Sequence, residues 1–192
     1  MLTKWIIGAF TFRKDVYAEV EVDTSFTTAA WILVAVVAFL NRLGSFASGD
    51  LVGWLMGAIV GTIFAVLGFA VGALVINWLG RTLFKADVTF EESVRTLGLA
   101  YVWQVVGLLG VVANFSEALS CVLAPVQVIA MLLMIAAWLV AAREALDLEW
   151  VQTIVTVILG VLIQFVITSF TTGLLLGLLE LGGSAKGRLF GF

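Results

Sequence analysis

Residues 51–79 are 29 consecutive positions without a charged side chain. At 1.5 Å per residue a helix of that length runs about 43 Å, more than the ~30 Å of hydrocarbon in a bilayer. That run commits the chain to a membrane. It also carries Gly53, Gly57, Gly61, Gly68 and Gly72, which fall within an arc of about 100° on one helix face. In lipid, small residues at this spacing let another backbone come close. The run is therefore expected to be a central packing helix that tilts, bends or protrudes to absorb its excess length.

Other apolar runs repeat the pattern. The 192 residues are 62% apolar and 12% charged, with a mean hydropathy of +1.17, and a soluble core cannot hide that much apolar surface. The expected fold is all-α: a polytopic five-transmembrane-helix bundle preceded by an N-terminal interfacial amphipathic segment. Spans are placed at about 25–42, 51–79, 94–112, 118–142 and 150–181, forming a membrane domain over 25–181. Residues 1–24 mix Trp5, Ile6, Phe10, Phe12 and Tyr17 with Lys4, Arg13, Lys14, Asp15, Glu19 and Glu21, which suits a helix in the interface. Residues 182–192 are expected to be a loose tail.

Local signals support these boundaries. Asp23, Thr24 and Ser25 are candidate N-caps for the first span, and Asn41 and Arg42 mark its end, where Arg42 can snorkel. Thr89 to Glu92 reads as a capping box. Pro125 should kink the fourth span or free a carbonyl. Counting Lys and Arg by side gives Lys4, Arg13, Lys14, Arg81, Lys85, Arg95 and Arg143 against Arg42, Lys186 and Arg188. The excess predicts a cytoplasmic N-terminus and an external C-terminus, in the cell inner (cytoplasmic) membrane.

Several chemistries lack their residues. There is no histidine and a single cysteine, Cys121, so neither an intrachain disulfide nor a His/Cys metal cluster can be built. Cys121, inside an apolar run, is expected to be a buried, inert thiol. No acidic or basic residue falls near the middle of an assigned span, where proton relays and ion paths usually place one. Nucleotide-binding and hydrolase motifs are missing. The expectation is a protein that is not an enzyme and needs no cofactor. A net charge of −3 gives no basic face for nucleic acid.

Two polar features remain. Thr153, Thr156, Gly160, Gln164, Thr168 and Thr171 form a stripe of about 120° on the fifth span. Gln164 facing lipid would leave amide groups unpaired, so the stripe provides interhelical hydrogen bonds or lines a polar path. Tyr101 and Gln104 on the third span and Gln127 on the fourth can meet the same interior. The second feature is a rim of Arg81, Lys85, Asp87, Glu91, Glu92, Arg95, Arg143, Glu144, Asp147 and Glu149 on the cytoplasmic side. It is either a mutually paired, solvated surface or a platform for a partner or for lipid headgroups at Arg81, Arg95 and Arg143.

Several segments resemble a known family: Trp78-Leu79-Gly80-Arg81, then Lys85-Ala86-Asp87-Val88-Thr89-Phe90-Glu91-Glu92, then Arg95-Thr96-Leu97-Gly98-Leu99-Ala100-Tyr101, and finally Ala141-Ala142-Arg143-Glu144-Ala145-Leu146-Asp147-Leu148. They are similar to the prokaryotic branch of the Yip domain family, the Ypt/Rab-interacting membrane proteins. The resemblance covers roughly residues 50–181, with a weaker echo in 13–43. It implies five spans, a cytoplasmic N-terminus and a C-terminus across the membrane. The family often has a proline just after the Ala-Tyr pair, where this chain has Val102-Trp103-Gln104. The long N-terminal region tied to Rab binding in eukaryotic members is absent, so the resemblance implies no Rab-linked role. The expected work is membrane organisation, lipid interaction or scaffolding with a membrane protein partner or a second copy. The alternative is a small transporter or channel lined by the fifth span's stripe.

Overall fold

The computed structural model describes residues 1–45, 50–114 and 116–190; beyond residue 163, side chains are described only at 165–167, 169, 170, 173 and 177. The described elements are helical, in the order α1 (Leu2–Phe10), α2 (Lys14–Val22), α3 (Phe26–Ser45), α4 (Leu51–Phe84), α5 (Phe90–Ala100), a 3₁₀ segment (Tyr101–Leu108), α6 (Leu109–Ala113), α7 (Glu117–Leu146) and α8 (Trp150–Phe190). Among the described residues, five helical stretches are long and apolar enough to cross a membrane: α3, α4, the third stretch from Phe90 to Ala113, α7 and α8. The protein is a multi-pass helical membrane protein.

Connections alternate between the two ends of the bundle. Trp54 Nε1 donates to the Leu43 carbonyl at 2.8 Å, which ties the start of α4 to the end of α3. Gly80, near the end of α4, abuts Leu146 at the end of α7. The spans end on identifiable caps. Asp50 accepts from the Val52 and Gly53 amides at the start of α4, and Lys85 closes that helix in the left-handed region at φ 57°. Thr89 and Glu92 form the capping box expected of them. α8 continues as helix to Phe190, past residue 181, where a loose tail was expected to begin.

The core centres on Phe69 of α4. Its ring meets Trp31 of α3 at 5.7 Å, Tyr101 at 5.4 Å and Trp138 of α7 at 6.2 Å, all edge to face, the preferred geometry for aromatic quadrupoles. Gly57, Gly61, Gly68 and Gly72 are buried and Gly53 half-buried. Gly160 of α8 sits against Ile76 and the Gly72 carbonyl, with no room for a β-carbon. Asn77, inside α4, is buried and donates to the Val88 carbonyl at 3.3 Å and to Ser93 Oγ at 3.1 Å. α7 runs through Pro125 as one helix. Its outer half stands off the bundle: Val122, Val128, Ile129 and Leu132 are all more than half exposed. For that reason Cys121, expected to be buried, is exposed.

The N-terminal segment forms two short amphipathic helices folded into a hairpin. A β-carbon at Gly8 would collide with the Val16 side chain, which therefore seats directly on the α1 backbone there. Lys4 Nζ and Trp5 Nε1 both donate to Glu19, at 2.5 and 2.8 Å, and these partners hold the Glu19 carboxyl below its usual range. Trp5, Ala9, Val16, Tyr17 and Val20 join the main core. At the turn, Phe10 and Phe12 pack on Trp103 at 4.9 and 5.6 Å.

One side chain anchors this hairpin. Arg95 is 4% exposed. Its Nε donates to the carbonyls of Val20 (3.0 Å) and Glu21 (2.9 Å), Nη1 donates to Thr27 Oγ1 (3.1 Å), and Nη2 also reaches the Glu21 carbonyl. The last carbonyls of a helix lack intrahelical donors, and the helix dipole favours a cation there. The planar five-donor fork of arginine serves several such acceptors at once. Arg95→Gln should leave buried carbonyls unsatisfied and destabilise the fold by about 2–4 kcal/mol. The expected readout in detergent is a lower thermal midpoint together with early proteolysis at residues 11–14; an unchanged midpoint and cleavage pattern would exclude the anchoring role.

Candidate membrane-embedded binding cavity

The third span changes pitch just after Ala100. α5 gives way to eight residues of 3₁₀ helix, Tyr101–Leu108, an unusually long run for that geometry. The 3₁₀ turn is tighter and offers its carbonyls to partners outside the helix. Asn41 Nδ2 takes the Gln104 carbonyl at 2.8 Å. Gly107 makes this possible, because a β-carbon there would collide with the Asn41 amide. One turn further, Gly44 lies against the Gly107 carbonyl, and a β-carbon on Gly110 would meet the Gly44 carbonyl at 2.6 Å. α3 and the third span therefore approach backbone to backbone through Gly44, Gly107 and Gly110. The glycines of α4 drew attention because they were periodic. These three are scattered across two distant segments, and no spacing rule joins them.

This junction walls a cavity of about 520 Å³ between the ends of α3 and α6 and the outer half of α7. Asn41, Ser45, Gln104, Asn114, Ser120 and Gln127 give it amide and hydroxyl groups, and Val106, Ala130, Met131 and Met134 give it apolar wall. Gln104 and Gln127 thus face one space. A smaller hollow of about 160 Å³ lies beside it, lined by Arg42, Tyr101, Gln104, Met131, Met134, Ile135, Val161 and Phe165. Trp103 lines the larger cavity, and its ring also carries Phe10 and Phe12 of the N-terminal hairpin. The Trp103 Nε1 atom is buried with no hydrogen-bond partner among the described residues.

The stripe on α8 does not join this cavity in its described part. Thr153 and Thr156 are buried, and their hydroxyls donate to their own helix's carbonyls, at Glu149 (3.0 Å) and Gln152 (2.8 Å). The side chains of Gln164, Thr168 and Thr171 lie outside the described residues.

At the opposite end of the bundle, many rim groups have local partners or capping roles. Arg95 is inside the protein, as above. Arg143 lies over the Trp150 ring at 4.4 Å, a cation–π contact. Lys85 and Asp147 are exposed residues in the left-handed conformation at the ends of α4 and α7. Glu92 belongs to the capping box, Glu144 is half-buried, and Arg81, Asp87, Glu91 and Glu149 are exposed. Burial pushes the Glu21 carboxyl up, and Asp147, Glu92 and Glu144 add to that while Arg95 opposes it. This end carries both signs of charge. It is not a purely basic surface.

A sequence model of the Yip1 domain matches residues 7–171. The chain belongs to the Yip1 domain family. Comparison with curated proteins and with solved structures finds no match. The Yip1 domain begins within α1, so it takes in α2 and the hairpin turn as well as the five spans. Residues lining the cavity, from Asn41 to Gln127, also fall within it.

The glycine junction makes a definite prediction. Gly107→Ala should drive the Asn41 amide off the Gln104 carbonyl and destabilise the fold by about 1–3 kcal/mol. Asn41→Ala should rescue much of that loss, because the colliding atoms are the side-chain amide nitrogen and its carbon. A double-mutant cycle of thermal midpoints checks it; strictly additive losses would show that the two residues do not compete for one space.

Proposed function

We propose that this Yip1-domain protein is a non-enzymatic membrane organiser that holds lipid in its cavity between α3, α6 and α7. The mixed lining carries the reading. A cavity of about 520 Å³ is in the range of small-molecule sites. Its amides and hydroxyls suit an ester or headgroup, while Met131, Met134 and Val106 suit an acyl chain. The protein sits in the cytoplasmic membrane, with its N-terminus cytoplasmic and its C-terminus external, supported by the excess of Lys and Arg at one end. The apolar outer half of α7 leaves surface for lipid or for a membrane protein partner, including a second copy. A solute path along α8 is the weaker reading, since Thr153 and Thr156 spend their hydroxyls on backbone carbonyls.

Gentle extraction followed by native mass spectrometry tests the lipid reading. Bound lipid is expected on the wild type and should fall about tenfold in Gln127→Leu, which removes an amide that one good hydrogen bond's worth of affinity depends on. Selective solute flux through reconstituted liposomes, with no retained lipid, would overturn it. Orientation is checked separately in a Cys121→Ser background: an impermeant maleimide added to intact cells should label Glu117→Cys and spare Lys85→Cys, and the reverse pattern inverts the topology.

A further inference from the structure

Arg42 is half-buried in the last turn of α3 and helps line the smaller hollow, with Tyr101 and Gln104. Tyr101 is a buried residue whose ring is held edge to face by Phe69, and it lines the same hollow as Arg42 and Gln104. A guanidinium, a phenol and an amide thus border one space of about 160 Å³.

The apolar wall has a direction. α7 starts at the end of the bundle where α3 finishes, so Met131, Met134 and Ile135 descend in that order away from Arg42's end. α8 runs the opposite way, so Phe165 and then Val161 descend on the facing wall. A polar, cationic mouth therefore leads into an apolar slot between two helices. Arginine pairs with phosphate through two parallel hydrogen bonds, and a slot of methionine and branched side chains accepts an alkyl chain.

We propose that the smaller hollow is the phosphate site of a lipid, with Arg42 pairing the phosphate, Tyr101 and Gln104 completing its hydrogen bonds, and one acyl chain running along Met131, Met134 and Ile135. The site deepens the lipid reading above and rests on it. It also moves the phosphate-binding cation from the rim arginines to the opposite end of the protein.

The test equilibrates purified protein in detergent with equal amounts of phosphatidylglycerol and a diacylglycerol of the same chains, then counts bound lipid by native mass spectrometry. Wild type should favour phosphatidylglycerol by about tenfold, on the order of one charge-assisted pair. Arg42→Gln should bring the ratio to within about twofold while diacylglycerol stays bound. Should that variant not fold, Arg42→Lys, which keeps the charge and loses the fork, and Tyr101→Phe, which keeps the ring, are each expected to cut the preference about threefold. Equal retention of the two lipids by wild type, or an undiminished preference in these variants, overturns the phosphate site alone. Absence of any bound lipid overturns the lipid reading and the site with it. Inorganic phosphate that displaces phosphatidylglycerol and by itself stabilises the protein as much as the lipid does would assign the site to a free anion and overturn the lipid.

Discussion

The buried guanidinium of Arg95 sets the conditions for much of the rest. A charge at 4% exposure is tolerated only when its donors are used, and here the open carbonyls at the end of α2 accept them, with Thr27 Oγ1 taking another hydrogen bond. One interaction thus satisfies two groups that would each be costly alone: a buried cation and an uncapped helix end. It also fixes geometry. With the end of α2 at Arg95 and the hairpin turn at Trp103, α2 must lie along the third span, reaching about 12 Å further at 1.5 Å per residue. The N-terminal helices therefore belong to the core, in keeping with a family match that begins at residue 7.

The third span links that hairpin to the cavity. Arg95 lies in its α-helical first part and Trp103 in its 3₁₀ part, with Gly107 and Gly110 beyond. Phe10 and Phe12 rest on the Trp103 ring, which also lines the cavity. The pitch change exists without proline because an external donor, Asn41, compensates a carbonyl that the tighter turn presents outward, and because glycine at 107 leaves room for that donor. Side-chain hydrogen bonding and close backbone approach, the two ways helices associate in lipid, coincide at this junction.

Much of this architecture was legible in the residues, and the limits have physical causes. Long uncharged runs, the capping box at Thr89 and the glycine face of α4 are local patterns, and each is read within a single element. Gln104 and Gln127 stood out because an amide inside an apolar run must find a partner. Arg95 was counted among the rim charges because it follows Glu91 and Glu92 in a polar stretch; nothing local says that α2 ends against it. Asn41 and Arg42 lie at the end of α3, as their place in the sequence suggests. Their roles depend on Gln104 and Tyr101, some sixty residues away, and that pairing is a property of the fold. Cys121 misled because burial was judged from its neighbours in sequence, whereas the outer half of α7 has few neighbours in space.

Charge placement separates the two ends of the protein. The end that holds α2, the capping box and the close of α7 carries both signs, and several of its charged groups have jobs there: Arg95 binds carbonyls, Arg143 covers Trp150, and Lys85 and Asp147 close helices. Basic groups so engaged make a poor anion surface even though they are numerous. At the other end Arg42 lines a hollow with Gln104, Tyr101 and two methionines, inside a low-dielectric region where one charge acts over a longer range than it does in water. Counting arginines points to one end of the molecule, but there Arg95 and Arg143 are spent on carbonyls and on an indole ring. In a bundle this poor in charge, the position of a cation relative to its acceptors says more about ligand chemistry than the number of cations on a face.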